Sequence, residues 1–518
     1  MREKLAMRNT TVTLLCQISD TVLQFITRKL FILYIGIELL GANSTFISIL
    51  GALSLAELGF ESAVIYSLYK PIAENKKDVV EDIIVILKRV YTIVGVFVII
   101  SGFVCVPLLP YILKGIEVTS EIYLAFIIQV LSTAITYFMA HRRTLLYALK
   151  MDFIRNLYIS GYKLIAAIFQ IIILLNFSSF IGFVLVVFIQ NILTNFSISR
   201  YVKKRYDYNF KGRKFNKKYY QNILKNVKDI FWGRIAGYIY FSTDSLVIST
   251  VVGATAVGYL SNYMQIFIQL KTVLSNVLNS NRPIIGDLLS QSDNKEHTLR
   301  VLHNYTFIRY ILCSVCLVPG ALLIDNFISL WLSPLFILPF YITIFIVADL
   351  FITIVHGALV DYISGLGYFS HDKKISIAGA LINLITSIIM VNFYGVAGVL
   401  SGTIISQAFF WIARSIIVFK YYYSDTRIQL YRYWRRQFIY IMLFSLNIIL
   451  GFYVNKLISL DNLYLRFIIG GLISLVIVGF VNIAVFHRSA EYRYIREVFE
   501  RVIAKLIVRK KKEFMSSN

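Results

Sequence analysis

About fourteen runs of roughly 20 or more mostly apolar residues, parted by short polar connections, constrain this chain more than any other feature, because a helix of that length crosses the hydrocarbon of a bilayer. The runs lie near 10–35, 44–69, 84–109, 121–140, 156–176 and 180–200, then 230–252, 257–280, 304–324, 339–362, 375–394 and 396–419, with two more near 437–456 and 463–486. No water is present inside the bilayer to bond an open backbone, so the runs are expected to be helices and the fold class all-α and integral to the membrane. Composition agrees: 58% of the residues are hydrophobic and 15% are charged, against about 25% charged in a soluble chain.

The net charge of +24 would suit nucleic acid if it covered one soluble surface. Instead, most of the 52 Lys and Arg fall in every second connection and at the two ends, while the opposite connections hold little beyond Lys114 and Lys456. That is the positive-inside pattern, which argues against a nucleic-acid partner and puts both termini in the cytoplasm; the expected location is the bacterial cytoplasmic (inner or plasma) membrane. Arg2, Lys4 and Arg8 precede the first apolar run without a small-residue cleavage pattern, so a retained first span is expected. Cys16, Cys105, Cys313 and Cys316 all lie in apolar runs. The Cys313–Cys316 spacing lacks the charged and His neighbours of a redox or zinc site.

The longest internal connection, YVKKRYDYNFKGRKFNKKYYQNILKNVKD at 201–229, parts two sets of six spans. The expected organisation is an N-terminal lobe over 1–200, this basic linker, a second lobe over 230–420, two further helices within 437–486 and a basic tail over 487–518. In the tail, Ile495, Val498, Phe499, Val502, Ile503 and Leu506 recur at helical spacing among Arg and Lys, the pattern of a helix lying on membrane lipid.

The two lobes share a signature. FITRKLFILYIGIELLGANS from Phe25 and FSTDSLVISTVVGATAVGYLSN from Phe241 each carry a charged residue, an apolar run and a glycine pair, Gly36/Gly41 and Gly253/Gly258. With one inserted residue, Arg28 matches Asp244. Six helices separate the segments, so both keep one orientation, as in the parallel repeats of transporters.

Polar residues inside the spans mark the candidate site, because an ionisable group there must face protein or water. Thr13, Gln17, Asp20, Gln24 and Arg28 share one helix face. Asn262, Gln265, Gln269, Thr272, Asn276 and Asn279 form a longer row, Ser54, Glu57 and Glu61 another, and Asp349, Thr353 and His356 a fourth. Single Asn, Gln or Thr residues serve as interhelical contacts, but a long row suits a wet cavity. The planar fork of Arg28 suits phosphate or carboxylate; an ion pair with Asp20, Glu57 or another carboxylate suits it equally. Asp244 fits ion coupling or a pair with Arg28 or Arg234. Lys271 and Arg309 fit as cavity cations, Arg309 alternatively as a snorkelling residue. His356, alone, fits a packed, hydrogen-bonded role. The sequence contains no P-loop, HExxH, zinc spacing or Gly-x-Ser-x-Gly elbow, so no enzyme activity, cofactor or metal is expected.

Residues 28–73 resemble the Wzx-type polysaccharide flippases of the multidrug, oligosaccharidyl-lipid and polysaccharide exporter superfamily. The likeness is carried by Gly-x-Glu-x-x-Gly at 36–41, LSLAELG at 53–59 and YSLYKP at 66–71, with TDSLVISTVVGATAVGYLSNY at 243–263 and YGVAGVLSGTIIS at 394–406. HRRTLLYALKMDFIR at 141–155 departs from the more acidic or Gln-bearing segment of relatives. The resemblance implies two six-helix lobes of MATE-like form around a central cavity, plus two C-terminal helices, and transport by alternating access. It implies a polyprenyl-pyrophosphate-linked oligosaccharide as cargo for cell-surface polysaccharide such as O-antigen or capsule, with a polysaccharide polymerase as a further partner. Arg28 matches an arginine that serves the lipid-linked pyrophosphate in related flippases. The expected substrate contacts are therefore Gln24, Arg28, Asn262, Gln265, Gln269 and Lys271, and the expected cavity or ion-coupling acids Glu57, Glu61, Asp244 and Asp349. A multidrug exporter, a peptidoglycan-precursor flippase and a membrane-embedded polymerase are the alternatives.

If the row through Gln265 lines water, Gln265→Cys will react with a membrane-impermeant thiol reagent in at least one conformation. Full protection in every condition would make the row a packing contact.

Overall fold

The structure, a computed structural model, describes residues 2–57, 60–206, 208, 219–221, 223–224, 243–279, 282–291, 294–423, 426–458, 460–494, 496–497 and 500, with backbone alone at 2–10, 55–56, 279, 283 and 426. The first half comprises α1 (Arg2–Tyr34), α2 (Ile37–Leu53), α3 (Phe60–Ala73), α4 (Lys77–Cys105), α5 (Ser120–Ala148), α6 (Asp152–Phe177) and α7 (Phe180–Arg205). It continues with α8 (243–251) and α9 (Ala254–Asn279). Then follow α10 (Arg282–Gln291), α11 (Lys295–Trp331), α12 (Phe340–Gly365), α13 (Phe369–Tyr394), α14 (Val396–Tyr421), α15 (Thr426–Leu457) and α16 (Leu463–Phe486). Ten helices among the described residues are long and apolar enough to cross a membrane, and Ile37–Leu53 is a shorter apolar one. The described residues therefore make a multi-pass, all-helical membrane protein. Most of the 201–229 linker, the start of the seventh run with Arg234, and the tail beyond 500 lie outside them.

Helix α6 shows how the sequence suits lipid. Its 26 residues reach about 39 Å at about 1.5 Å per residue, enough for a hydrocarbon core of about 30 Å. Leu164, Ile165, Ile168, Phe169, Ile172 and Leu175 are exposed, whereas Ala166, Ala167 and Gln170 are buried. The large apolar side chains face outward and the small and polar ones face protein, the reverse of a water-soluble helix. Helix α6 ends at Ser178 in the left-handed conformation (φ 46°), and Ser179 Oγ accepts from Gly182 N at 3.1 Å to start α7.

The chain divides into two compact units, Met1–Asn262 with Ser376–Gly402, and Tyr263–Ile375 with Thr403–Asn518. In the first unit α4 packs on α5, α5 on α7 and α1 on α6. In the second α11 packs on α12, α15 and α16. The Tyr310 hydroxyl of α11 donates to Asn482 Oδ1 of α16 at 2.6 Å, and the Tyr310 ring stacks on Tyr440 at 4.5 Å.

The second expected span is not one helix. Helix α2 ends at Leu53, a 3-10 turn covers Ser54–Glu57, and α3 starts at Phe60. Ser54 Oγ donates to Leu50 O at 2.8 Å, competing with the backbone ladder where the helix stops. Ser54 and Glu57 thus lie in a 3-10 turn and Glu61 in α3, rather than all three on one face of a single α-helix. In the turn after α3, Lys76 Nζ lies 2.7 Å from Glu74 and holds its carboxyl below the usual range.

The glycine signature marks a shared local structure. Ile35 N and Gly36 N both donate to Phe31 O, and Val252 N and Gly253 N both donate to Ile248 O. Gly36 (φ 107°) and Gly253 (φ 144°) then start α2 and α9 in backbone that residues with a Cβ rarely adopt. The two helix starts cross in reciprocal fashion: a Cβ on Gly41 would strike the carbonyl of Ala254, and a Cβ on Gly258 would strike that of Ile37. The loop after α4 secures this corner. Lys114 Nζ donates to Val251 O at 2.5 Å, Ala254 N to Lys114 O at 3.0 Å, and Ser249 Oγ to Ile112 O at 2.7 Å.

Gly41→Val forces two backbones apart, so a loss of about 1–3 kcal/mol is expected, read as a lower unfolding midpoint in detergent. Gly286→Ala, at a glycine whose Cβ would meet nothing within 4 Å, is the matched control.

Candidate functional site

The polar face of α1 has two fates. At its start it packs on α6: Asn156 Nδ2 donates to Thr13 Oγ1 at 2.8 Å and Lys163 Nζ to Asp20 Oδ2 at 2.7 Å. That pair removes Asp20 as a partner for Arg28. Two turns further, the Arg28 guanidinium reaches α9. Its Nε donates to Asn262 Oδ1 at 2.7 Å and its Nη2 to Ser261 Oγ, which itself donates to Gly258 O at 2.8 Å. Among the described residues Arg28 has no carboxylate partner, and Nη1 has no partner at all. Asn262 is fully buried, and its Nδ2 is also without a partner.

The cost of keeping a guanidinium inside a bilayer is lowered when its N–H groups are bonded. Ser261 and Asn262 supply bonds but no negative charge. The arrangement therefore orients the fork and leaves its full charge for an anion, for which a planar bidentate donor is well shaped.

The other sequence candidates are divided between the units. Gln24, which is exposed, and half-buried Asp244, Glu57 and Glu61 lie in the first. Glu57 accepts from the Tyr91 hydroxyl at 2.7 Å and Glu61 from the Thr144 hydroxyl at 2.9 Å. Both carboxylates beside the helix break are thus held by neutral donors. Gln265, Gln269, Lys271 and Asp349, all half-buried, lie in the second unit, where Lys271 feels the charge of Asp349.

Arg309 is neither a snorkelling residue nor a free cavity cation. It is 4% exposed and bonded to Asp361 Oδ2 at 2.5 Å, to Ile354 O at 2.8 Å and to the Tyr305 hydroxyl at 2.7 Å. Arg282 Nε takes the other Asp361 oxygen at 2.5 Å. Asp361 falls near the C-terminal end of its apolar run, where a carboxylate ordinarily reaches water, so only the fold reveals its enclosure. His356 is packed: Nδ1 lies 2.8 Å from Ile352 O and Nε2 3.0 Å from Arg414, which also pairs with Asp372 at 2.7 Å. With Nδ1 bonded to a carbonyl and Nε2 facing a guanidinium, the neutral Nδ1–H tautomer fits. Ser261, absent from the sequence candidates, was signalled only by its place beside Asn262.

This helical framework is similar to that of solved transporters of the multidrug, oligosaccharidyl-lipid and polysaccharide superfamily. The chain is similar to a solved structure titled lipid II flippase MurJ, inward closed conformation, at 16% identity over 92% of this chain and 99% of that one, with a TM-score of 0.69. It is similar to an inward-facing multidrug resistance MATE family transporter at 14% identity, covering 82% and 98%, with a TM-score of 0.62. A third likeness is to a superfamily transporter from Pyrococcus furiosus, titled for the reversed polarity of its binding pocket, at 14% identity, covering 80% and 94%, with a TM-score of 0.51. No curated protein matches the chain in sequence. The model of the family described as polysaccharide biosynthesis protein matches residues 6–288, and the chain belongs to that family.

Asp361→Ala leaves two guanidiniums without their carboxylate, and a loss of about 3–5 kcal/mol is expected. It will be read as a fall in unfolding midpoint in detergent, larger than that of Asp372→Ala, whose site is partly open.

Proposed function

We propose that the protein is a flippase that carries a polyprenyl-pyrophosphate-linked oligosaccharide from the inner to the outer leaflet of a bacterial cytoplasmic membrane, by alternating access, for assembly of a surface polysaccharide. The observation that carries this reading is the uncompensated charge of Arg28, oriented by Ser261 and Asn262 without a carboxylate. The cargo's headgroup is too polar to cross about 30 Å of hydrocarbon alone, and its pyrophosphate is the anion that a fixed arginine fork suits. Gln24, Asn262, Gln265, Gln269 and Lys271 are the accompanying substrate contacts in this reading, and Asp244, Glu57, Glu61 and Asp349 the acids that link transport to an ion gradient. Family membership supports a role in polysaccharide synthesis. The product at the outer leaflet is material for a polymerase.

Arg28 opposes export of cationic drugs, since its charge would repel them. A peptidoglycan precursor shares the lipid pyrophosphate, and the fold shared with MurJ makes it the second reading. Rescue of a strain lacking its own lipid II flippase distinguishes the two.

In cells whose surface polysaccharide depends on this protein, Arg28→Ala is expected to abolish export with the protein still in the membrane. Asn262→Asp will neutralise Arg28 with an adjacent carboxylate and reduce export at least as much as Asn262→Leu. Wild-type export by Arg28→Ala would remove the pyrophosphate grip.

A further inference from the structure

The first unit contains a second polar feature, away from the guanidinium. A cavity of about 340 Å³ lies among α2, α5 and α7. Asn43 and Ser54 line it from one side, Gln129, Ser132 and Thr133 from α5, and Asn191 from α7. Not one lining residue is charged. Ile47, Val187 and the ring of Phe183 complete the wall with apolar surface.

The amides are bonded in pairs that leave capacity over. Gln129 Nε2 donates to Asn43 Oδ1 at 2.8 Å, so Asn43 Nδ2 and Gln129 Oε1 keep no protein partner among the described residues. Asn191 Nδ2 donates to Ser132 Oγ at 2.9 Å, so Asn191 Oδ1 keeps none. Unpaired amides against an alkyl chain would cost several kcal/mol, which opposes a lipid tail as occupant. The lack of charge opposes an ion or a cationic drug. A volume near the low end of the usual range of about 300–1,000 Å³, with a few fixed donors and acceptors set in apolar wall, suits a small neutral polar ring.

We propose that this cavity is a subsite for a neutral sugar residue of the cargo. Each sugar hydroxyl donates and accepts at once, as the leftover amide groups require, and the C–H face of a pyranose packs on Phe183 and Val187. Helix α1 links the two features: Phe31, about one turn along from Arg28, packs on Phe183 of the cavity wall with ring centroids 4.8 Å apart. A sugar bonded directly to a diphosphate lies close to it by covalent chemistry, so anion grip and sugar subsite belong in one unit. This inference rests on the proposed cargo.

The test uses the full chain in nanodiscs and two probes: undecaprenyl diphosphate, and the lipid-linked oligosaccharide extracted from cells that make this protein. The wild type is expected to bind the sugar-bearing lipid more tightly. Gln129→Leu and Asn191→Leu will weaken that binding at least tenfold and leave undecaprenyl diphosphate unchanged, whereas Arg28→Ala weakens both. The near-isosteric Thr133→Val will shift only the sugar-bearing probe, by a smaller factor. Wild-type affinity of the leucine variants for the sugar-bearing lipid overturns the subsite and leaves a water-filled cavity. Equal loss for both probes, with Thr133→Val silent, overturns it too. If the wild type binds neither probe, the proposed cargo itself fails.

Discussion

An ionised side chain within a membrane-spanning helix must be solvated by the protein, and the manner of its solvation decides what it can do next. Arg309 and Arg28 show the two outcomes. Arg309 is enclosed with Asp361, Tyr305 and a backbone carbonyl, so its charge is spent on holding α11 to α12. Arg28 is bonded by Ser261 and Asn262, so two of its donors are held while its charge has no counter-ion among the described residues. Two residues of one type, alike in sequence context, therefore divide into a structural tie and the anion grip proposed for Arg28. The difference lies wholly in what faces them.

The same distinction applies to the acids. Glu57 and Glu61 have Tyr91 and Thr144 as donors, whereas Asp20 and Asp372 are matched to Lys163 and Arg414. Glu57 lies in the 3-10 turn that follows α2, where the backbone has departed from regular α-helix, and Glu61 in the first turn of α3.

Much of the architecture was legible in the sequence because the bilayer imposes few solutions. Run length matched the ten long apolar helices of the described residues, and the outward-facing Leu, Ile and Phe of α6 are large apolar residues suited to lipid. The glycine pairs were legible as a repeat, and the left-handed Gly36 and Gly253 supply the physical reason. Arg28 stood out by its cost. Of its two partners Asn262 stood out as the start of a polar row, but nothing in the spacing distinguishes Ser261 from the other hydroxyls of the same helix. The break after Leu53 was hidden because LSLAELGF is as apolar as an unbroken span. The Arg282–Asp361–Arg309 cluster was hidden because it joins three helices distant in sequence. The pairing of Asn43 with Gln129, and of Asn191 with Ser132, likewise depends on which helices become neighbours.

The crossing at Gly41 and Gly258 has the form of an isologous interface: position 41 meets 254 as position 258 meets 37. Such a contact asks nothing of one half that the other lacks. Two copies of a single ancestral half, each bearing the same glycine, would make it as a homodimer. Fusion of two such halves into one chain would free the flanking positions to differ, as Arg28 and Asp244 do, while the touching backbones stay bare.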